Sequence, residues 1–235
     1  MPFSKILGMS LASLVGMIIL AILMMAPNIL LPVLGVDTGI SPALETLLRL
    51  FPFLLFILLI AVKNPHNHND NTSGCIGVYN AAAILAENPD LRKDCAFVLF
   101  DMEEQGLFGS GAFAKWRRKN FPGAEDSHVF NLDCIADGDL LILASKKKPA
   151  ALKERESLAE FFQGEGFDVM QKVSSLAGYL SDHAKFKKGV MFAFLRRSKL
   201  GGLYIPNIHT SKDTVCDLEQ IERLCQGIVK YISTR

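Results

Sequence analysis

Five acidic or imidazole residues stand where strands are predicted to end in loops: Asp70, Glu103, Glu104, Asp133 and His209. The adjacent pair Glu103-Glu104 follows the apolar stretch 95–100, and Asp133 closes the stretch 129–133. Mixed carboxylate and imidazole ligands suit Zn²⁺, and one spare carboxylate suits a general base that acts on metal-activated water. The residue types therefore indicate a metal-assisted hydrolytic site.

Some of these residues also have simpler interpretations. Asp70 precedes a helical run, and Asp is a favoured N-cap residue. Glu103 and Glu104 can form an ordinary acidic loop. Adjacent side chains after a strand also point in different directions, so one can bind a metal while the other acts as a general base. His66 and His68 follow a hydrophobic run and fit a solvated linker better than a ligand pair.

Asp133 and His209 are harder to explain without a site. A carboxylate at the end of a buried strand is costly unless it is paired or coordinates a metal. A lone histidine is more often structural, but His209 has Thr210 and Asp213 close behind it. The string Ser181-Asp182-His183 cannot form a protease triad, because adjacent side chains cannot adopt the relay geometry.

Five short motifs in this order resemble the zinc aminopeptidase family, which includes bacterial leucyl aminopeptidases and the animal glutaminyl cyclases. They are Asp70-Asn-Thr-Ser-Gly74, Glu103-Glu-Gln-Gly-Leu-Phe-Gly-Ser110, Asn131-Leu-Asp133, Ser181-Asp-His183 and His209-Thr-Ser-Lys-Asp213. Each string alone is weak, but five in order at the family's approximate spacing are specific. The resemblance implies an α/β domain that binds one or two zinc ions.

The resemblance also implies roles for individual residues. Glu103 corresponds to the general base. The zinc ligands correspond to Asp70, Glu104, Asp133 and His209, with Asp70 bridging the two metal positions. Asp182 and Asp213 correspond to acids that support the zinc ligands without binding zinc themselves.

One family motif is missing from the sequence. Two-metal members carry a His-x-Asp motif at the end of a strand upstream of the Asp-Asn-x-Ser-Gly segment, and no histidine precedes Asn64 here. The ligand set of the first metal position is therefore incomplete. We expect that the hydrophobic residues before Asn64 are an insertion, that Met1 is internal to a longer reading frame, and that the missing strand lies upstream.

Composition excludes some partners and predicts a reducing compartment. The chain has 25 Lys and Arg residues and 24 Asp and Glu residues, a formal net charge of +1. It therefore lacks the excess of positive charge that is typical of nucleic-acid-binding proteins. The five cysteines lack Cys-x-x-Cys spacing, which argues against a disulfide scaffold.

Two uncharged runs near the N-terminus predict a membrane region, residues 1–63, before a zinc aminopeptidase-like domain at 64–235. Membrane helices are predicted at about 6–26 and 43–62. A buried or re-entrant helix is the alternative for the second run. Lys5 and Lys63 flank the pair, so the positive-inside rule predicts a multi-pass protein in the lipid bilayer with its soluble domain in the cytoplasm.

The domain after the membrane region alternates between strands and helices. Helices are predicted at about 74–87, 112–119, 150–163 and 217–232. Strands are predicted at 95–100, 129–133, 140–144, about 167–171 and 190–195. This pattern predicts a mostly parallel sheet with helices on both faces, in which ligands gather beyond the carboxyl ends of the strands.

These observations predict a membrane-anchored zinc-dependent metallopeptidase of the aminopeptidase type, acting on a peptide or an amino-acid derivative. Two alternatives stay open. One is a single-zinc acyltransferase of the glutaminyl cyclase kind, and the other is a catalytically silent membrane protein that keeps the fold.

Overall fold

The computed structural model describes residues 66–104, 106–175, 178–199 and 201–235, together with Ser41, Leu44, Thr46, Leu47 and Leu50. The chain divides into two compact units, Met1–Pro65 and His66–Arg235. The predicted membrane helix at 6–26 lies outside the described residues, and only four described residues fall in the one at 43–62. Among the described residues, no helix is long and apolar enough to cross a membrane.

The second unit contains the helices and strands that position the candidate site. The helices are α1 (Gly74–Ala86), α2 (Pro89–Arg92), α3 (Phe108–Asn120), α4 (Pro149–Gly164) and α5 (Leu218–Ser233). The strands are β1 (His128–Leu132), β2 (Leu140–Ser145), β3 (Val169–Val173), β4 (Lys188–Arg197) and β5 (Leu203–Tyr204). Short 3₁₀ helices span Ala124–Asp126 and Asp182–Lys185. Every helix and all but one strand predicted for the domain at 64–235 are present.

The sheet is mixed rather than mostly parallel, and the prediction is wrong on this point. Its order is β1-β4-β2-β3, with β5 paired to β4. β1 runs parallel to β4 and β2 parallel to β3, but β4 runs antiparallel to both β2 and β5. The segment 133–139 is shorter than the dozen or so residues that a parallel crossover needs, so β2 runs back against the direction of β1.

The strand predicted at 95–100 does not form. These residues have no regular secondary structure and pair with no strand in the described part of the chain. Leu99 is 64% exposed, whereas every residue of β2 is buried. An apolar run of strand-forming residues becomes a strand only when a neighbouring strand accepts its backbone hydrogen bonds.

Alternation along β4 divides the core between the two faces of the sheet. Val190, Phe192 and Phe194 pack with α1, α4 and α5, whereas Met191, Ala193 and Leu195 pack with β2 on the opposite face. In α5 the buried positions recur every three or four residues, and the Asp217 side chain caps the helix by accepting from the Gln220 N–H at 3.0 Å. Each fully buried side chain, such as Phe162, contributes roughly 1.5–3 kcal/mol.

Candidate metal centre

Asp70 is held by its backbone in a kinked turn, His68–Ser73, that leads into α1. The carboxylate of Asp213 accepts the N–H groups of Asn69 and Asp70, each at 2.9 Å. Asp213 is 2% exposed, and these two charge-assisted bonds compensate for its burial. The fixed backbone leaves the Asp70 side chain free to point elsewhere.

The turn is also tied to the loop that leaves β1. The Asn71 side chain accepts the N–H of Gly74 at 3.0 Å and that of Cys134 at 3.3 Å, and it donates to the carbonyl of Leu132 at 3.3 Å. A Cβ on Gly74 would stand 2.3 Å from the Leu132 carbonyl oxygen, so only glycine fits there. The Asp-Asn-Thr-Ser-Gly motif therefore fixes the turn at 68–73 to the loop that follows β1 by hydrogen bonds and close packing.

Glu103 and Glu104 lie in a tight turn before α3. The carbonyl of Glu103 accepts from Gly106 at 3.0 Å and from Leu107 at 2.8 Å. A Cβ on Gly109 would stand 2.1 Å from the Asp101 carbonyl oxygen, which explains why a glycine follows the glutamate pair at this distance. The first turn of α3 thus packs directly against the backbone that carries the two glutamates.

His209 brings the separate segments together. Its Nε2 lies 2.7 Å from Asp70 Oδ2 and 2.9 Å from Glu104 Oε1. His209 and Cys134 adopt left-handed backbone conformations, with φ of 58° at each. Such conformations are uncommon outside glycine and cluster at functional sites.

The donor set fits a zinc ion. The ligand atoms of Asp70, Glu104 and His209 all lie within 4.8 Å of one another. Tetrahedral zinc holds such atoms ~3.3 Å apart, slightly wider than the two distances to His209, so a small outward shift would admit the ion. In this structure His209 Nε2 lies within hydrogen-bonding distance of one oxygen from each of the two carboxylates.

The raised pKa of His209 also indicates a site that stabilises positive charge. Burial by itself lowers the pKa of His209, but hydrogen bonds and charge from Asp70 and Glu104 outweigh it and raise the pKa to about 11. Two carboxylates that stabilise a positive charge on His209 would also stabilise a metal cation.

Glu103 lies beside this cluster, and its pKa is strongly raised. Burial, followed by the negative charges of Asp133 and Glu104, raises its pKa to about 9. The smaller contributions come from Asp182 and Asp70, so Glu103 faces the same small volume as the ligands. A carboxyl group with a pKa of about 9 is mostly protonated near neutrality, so it needs nearby positive charge before it can act as a base.

The sequence comparison decides the family. The profile of peptidase family M28 matches residues 63–231, which is most of the chain. The protein belongs to peptidase family M28. The family is one of zinc-dependent peptidases, in agreement with the resemblance seen in the motifs and with the donor set described above.

A solved structure shares the fold. The crystal structure of LapA from Legionella pneumophila superposes with a TM-score of 0.55 at 18% identity. The match covers 71% of this chain but 47% of LapA, so the chain spans about half the length of that protein. No curated protein matches the sequence.

Asp133, the remaining predicted ligand, belongs to a different group from His209, and Asp70 is common to both groups. Asp70, Asp133 and Cys134 form a second group with ligand atoms within 4.8 Å of one another. Burial and the charge of Asp70 raise the pKa of Asp133 to about 6. The upstream His-x-Asp motif of two-metal M28 members has no counterpart among the described residues of this group.

The Ser-Asp-His string forms no triad, because its three side chains meet different partners. Ser181 accepts from Asn131 at 2.8 Å, and Asp182 bonds Ser110 near Glu103. The remaining residue, His183, is 1% exposed and meets Ser174 at 2.6 Å. Burial lowers the pKa of His183 to about 4, so this imidazole is neutral and structural.

Sequence reasoning missed three positioning residues in the turn that carries Asp70. Besides Asn71, the Asn69 side chain accepts the N–H of Ala136 at 2.9 Å, and the Ser73 hydroxyl accepts that of Ile135 at 3.0 Å. The density of Asn and Ser around Asp70 was the available signal, since these residues bond readily to backbone groups.

Proposed function

We propose that the protein is a zinc-dependent aminopeptidase. The observation that supports this most directly is the meeting of Asp70, Glu104 and His209 around one point, with Glu103 next to them. Three ligands and an adjacent protonatable carboxyl group are what metal-assisted hydrolysis of an amide requires.

Asp70, Glu104 and His209 would hold the ion, which when bound supplies Lewis-acid polarisation of the scissile carbonyl and makes water a stronger acid. Glu103 takes a proton from the attacking water. It then returns this proton to the nitrogen of the departing amine, so the base ends the cycle as it began. Positive charge at the site lowers the pKa of Glu103 from its metal-free value and keeps it available as a base.

Surplus negative charge supports the choice of a free amino terminus as the substrate group. Asp133 and Asp182 stand next to Glu103 in addition to the two carboxylate ligands. Asp182 Oδ1 is buried without a hydrogen-bond partner among the described residues. An α-ammonium group would compensate these charges, whereas a blocked terminus would not.

We further infer that the peptidase domain is anchored to the membrane by hydrophobic segments within residues 1–63. The support is the sequence alone: uncharged runs of near-spanning length with a lysine at each outer flank. The charge bias places the domain on the cytoplasmic side.

Hydrolysis of leucine amide by the zinc-loaded protein tests the proposed activity. We expect turnover of leucine amide and none of N-acetyl-leucine amide, which lacks the ammonium group. Equal turnover of both would overturn the aminopeptidase assignment. Cyclisation of an N-terminal glutaminyl peptide without amide hydrolysis would replace it with the acyltransferase alternative.

A further inference from the structure

The helix α3 buries little of its surface. Of its 13 residues, only Ser110 and Ala114 are buried. Phe108, Ala112 and Trp116 are exposed and recur every four residues, which places them on one side of the helix. Phe108 is 62% exposed and Trp116 is 51% exposed. A continuous apolar stripe that faces solvent in this way points to an interaction surface.

Aromatic rings extend this stripe at the C-terminal end of the helix. The ring centroids of Trp116 and Phe121 lie 5.3 Å apart, and Phe121 is also about half exposed. Phe113 supports Trp116 from the same helix, with 5.7 Å between the ring centroids. A tryptophan ring combines an apolar body with a polar N–H, so it is favoured where an apolar phase meets water.

Three basic side chains share the exposed half of α3. Lys115, Arg118 and Lys119 are exposed, and none of them forms an ion pair within the part of the chain that the structure describes. Arg117, which lies in the same run, is turned inward, and its guanidinium lies 5.0 Å from the ring centre of Phe186. We define the outer face of α3 as Phe108, Ala112, Lys115, Trp116, Arg118 and Lys119.

The combination of charge and apolar surface is more informative than either feature alone. Basic residues beside an apolar stripe with aromatic rings are typical of helices that lie in the plane of a membrane interface. The aliphatic parts of Lys and Arg can follow the apolar phase while their charged ends reach anionic headgroups. A polyanion without an apolar phase would compensate the charges but would leave Phe108 and Ala112 in water.

We propose that the outer face of α3 docks on a lipid bilayer that contains acidic phospholipids. The apolar stripe enters the boundary between headgroups and acyl chains, and the three basic residues contact the acidic headgroups. The first turn of α3 packs against the turn that carries Glu103 and Glu104, so docking holds the candidate metal centre near the membrane surface. The inference depends neither on the proposed peptidase activity nor on the proposed membrane anchor.

Trp116 is the single tryptophan of the chain, so its fluorescence reports docking without any substitution. The test reconstitutes the full chain into nanodiscs of brominated phosphatidylcholine, with or without phosphatidylserine. We expect a blue shift and strong quenching of the Trp116 emission in bilayers that contain phosphatidylserine, and much weaker quenching in those that lack it.

A moved reporter controls for quenching that does not come from α3. Trp116→Phe combined with Tyr79→Trp places the tryptophan on α1, where Tyr79 is 79% exposed. The helix α1 packs on the face of the sheet that carries Leu132, whereas α3 packs against the 3₁₀ helix at 182–185 on the other face. The moved tryptophan should therefore escape quenching in both kinds of bilayer.

Two matched variants test the charge requirement. The first removes the charges of the outer face with Lys115→Ala, Arg118→Ala and Lys119→Ala. The second removes three other exposed charges with Lys147→Ala, Lys148→Ala and Lys153→Ala. Each basic residue near an anionic surface changes the affinity about fivefold. The first variant should therefore shift the docking equilibrium on the order of a hundredfold toward the undocked state, while the second should dock like the wild type.

Both variants should unfold at the temperature of the wild type, so that a loss of quenching reports docking rather than folding. Unquenched Trp116 in bilayers with phosphatidylserine would overturn the proposal, and so would equal quenching in the two variants. Equal quenching with and without phosphatidylserine would overturn it as well, because acidic headgroups would then play no part. A blue shift with homopolymeric RNA that exceeds the shift in acidic bilayers would assign the outer face to nucleic acid instead.

Discussion

Glu103 and Glu104 are neighbours in sequence, but their side chains have different surroundings. Glu104 meets His209 at 2.9 Å, whereas the acidity of Glu103 is set by burial and by Asp133. We predict that Glu103→Gln keeps bound zinc but lowers the rate of leucine amide hydrolysis by about 10²–10⁴-fold, the usual cost of removing a general base. Glu104→Gln should lose zinc as well. Equal zinc loss in both variants, measured by atomic absorption, would show that the two roles are wrongly assigned.

The raised pKa values also predict how the metal-free protein responds to pH. A carboxyl group whose pKa rises on folding favours the folded state while it is protonated. The stabilising effect of Glu103 is therefore complete below about pH 4.5 and is lost as the pH rises to about 9. The pKa of His209, about 11, extends the same trend to higher pH.

We therefore expect the free energy of unfolding of the zinc-free protein to fall between pH 5 and pH 9. Urea denaturation in the presence of a chelator measures this directly. The Glu103→Gln variant is the control, and its stability should depend less steeply on pH in the same range. A wild-type stability that rises across this range would contradict the assigned pKa directions.

Asp213 illustrates how a residue outside the ligand set controls the site. Its carboxylate accepts two N–H groups from the turn that carries Asp70. Asp213→Asn replaces one acceptor with a donor that faces an N–H, so zinc affinity should fall about 10–100-fold. Asp217→Asn makes the same chemical change four residues away, where Asn caps α5 equally well, and should leave zinc affinity unchanged. Competition with a chromophoric chelator measures both affinities.

At the scale of elements, the contact between α3 and the glutamate turn decides where Glu104 lies. In Gly109→Ala, the new methyl group would stand 2.1 Å from the Asp101 carbonyl oxygen, so the backbone must move. We expect weaker zinc binding and a loss of about 1–3 kcal/mol in the free energy of unfolding.

Gly111→Ala is the matched control in the same helix. Its nearest neighbours are side-chain atoms of Lys185, the closest at 3.6 Å, which is ordinary contact. Alanine inside a helix is favoured over glycine by about 0.5–1 kcal/mol, so this variant should be as stable as the wild type or more so. Equal zinc affinities in the two variants would show that the Gly109 contact does not position the turn.

Sequence patterns predicted the elements whose causes are local. The cap at Asp217 and the three- and four-residue spacing in α5 define that helix within one residue at each end. The segment 95–100 has the composition of a strand but no strand partner in the described residues, and strand pairing is not a local property. The motifs likewise indicated Asp70 and His209, but the bonds from Asn69 and Asn71 to residues more than 60 positions away depend on the folded structure.

For the whole molecule, the charges around the hydrophobic segments predict its orientation in the membrane. Lys5 and Lys63 flank the pair, and the connecting loop carries Asp37 but no Lys or Arg. The positive-inside rule then predicts that the domain lies in the cytoplasm. Cys216, partly exposed in that domain, should react with a membrane-impermeant maleimide only after the cells are permeabilised.

A cysteine introduced into the connecting loop provides the matched control. Thr38→Cys should be modified in intact cells, because a two-span arrangement with both ends inside leaves this loop outside. Mass spectrometry of the corresponding peptides distinguishes the two sites within one sample. Modification of Cys216 in intact cells would overturn the orientation, and it would also remove the argument that the unpaired cysteines reflect a reducing compartment. Protection of both sites until permeabilisation would contradict the two-span arrangement while agreeing with the proposed cytoplasmic domain.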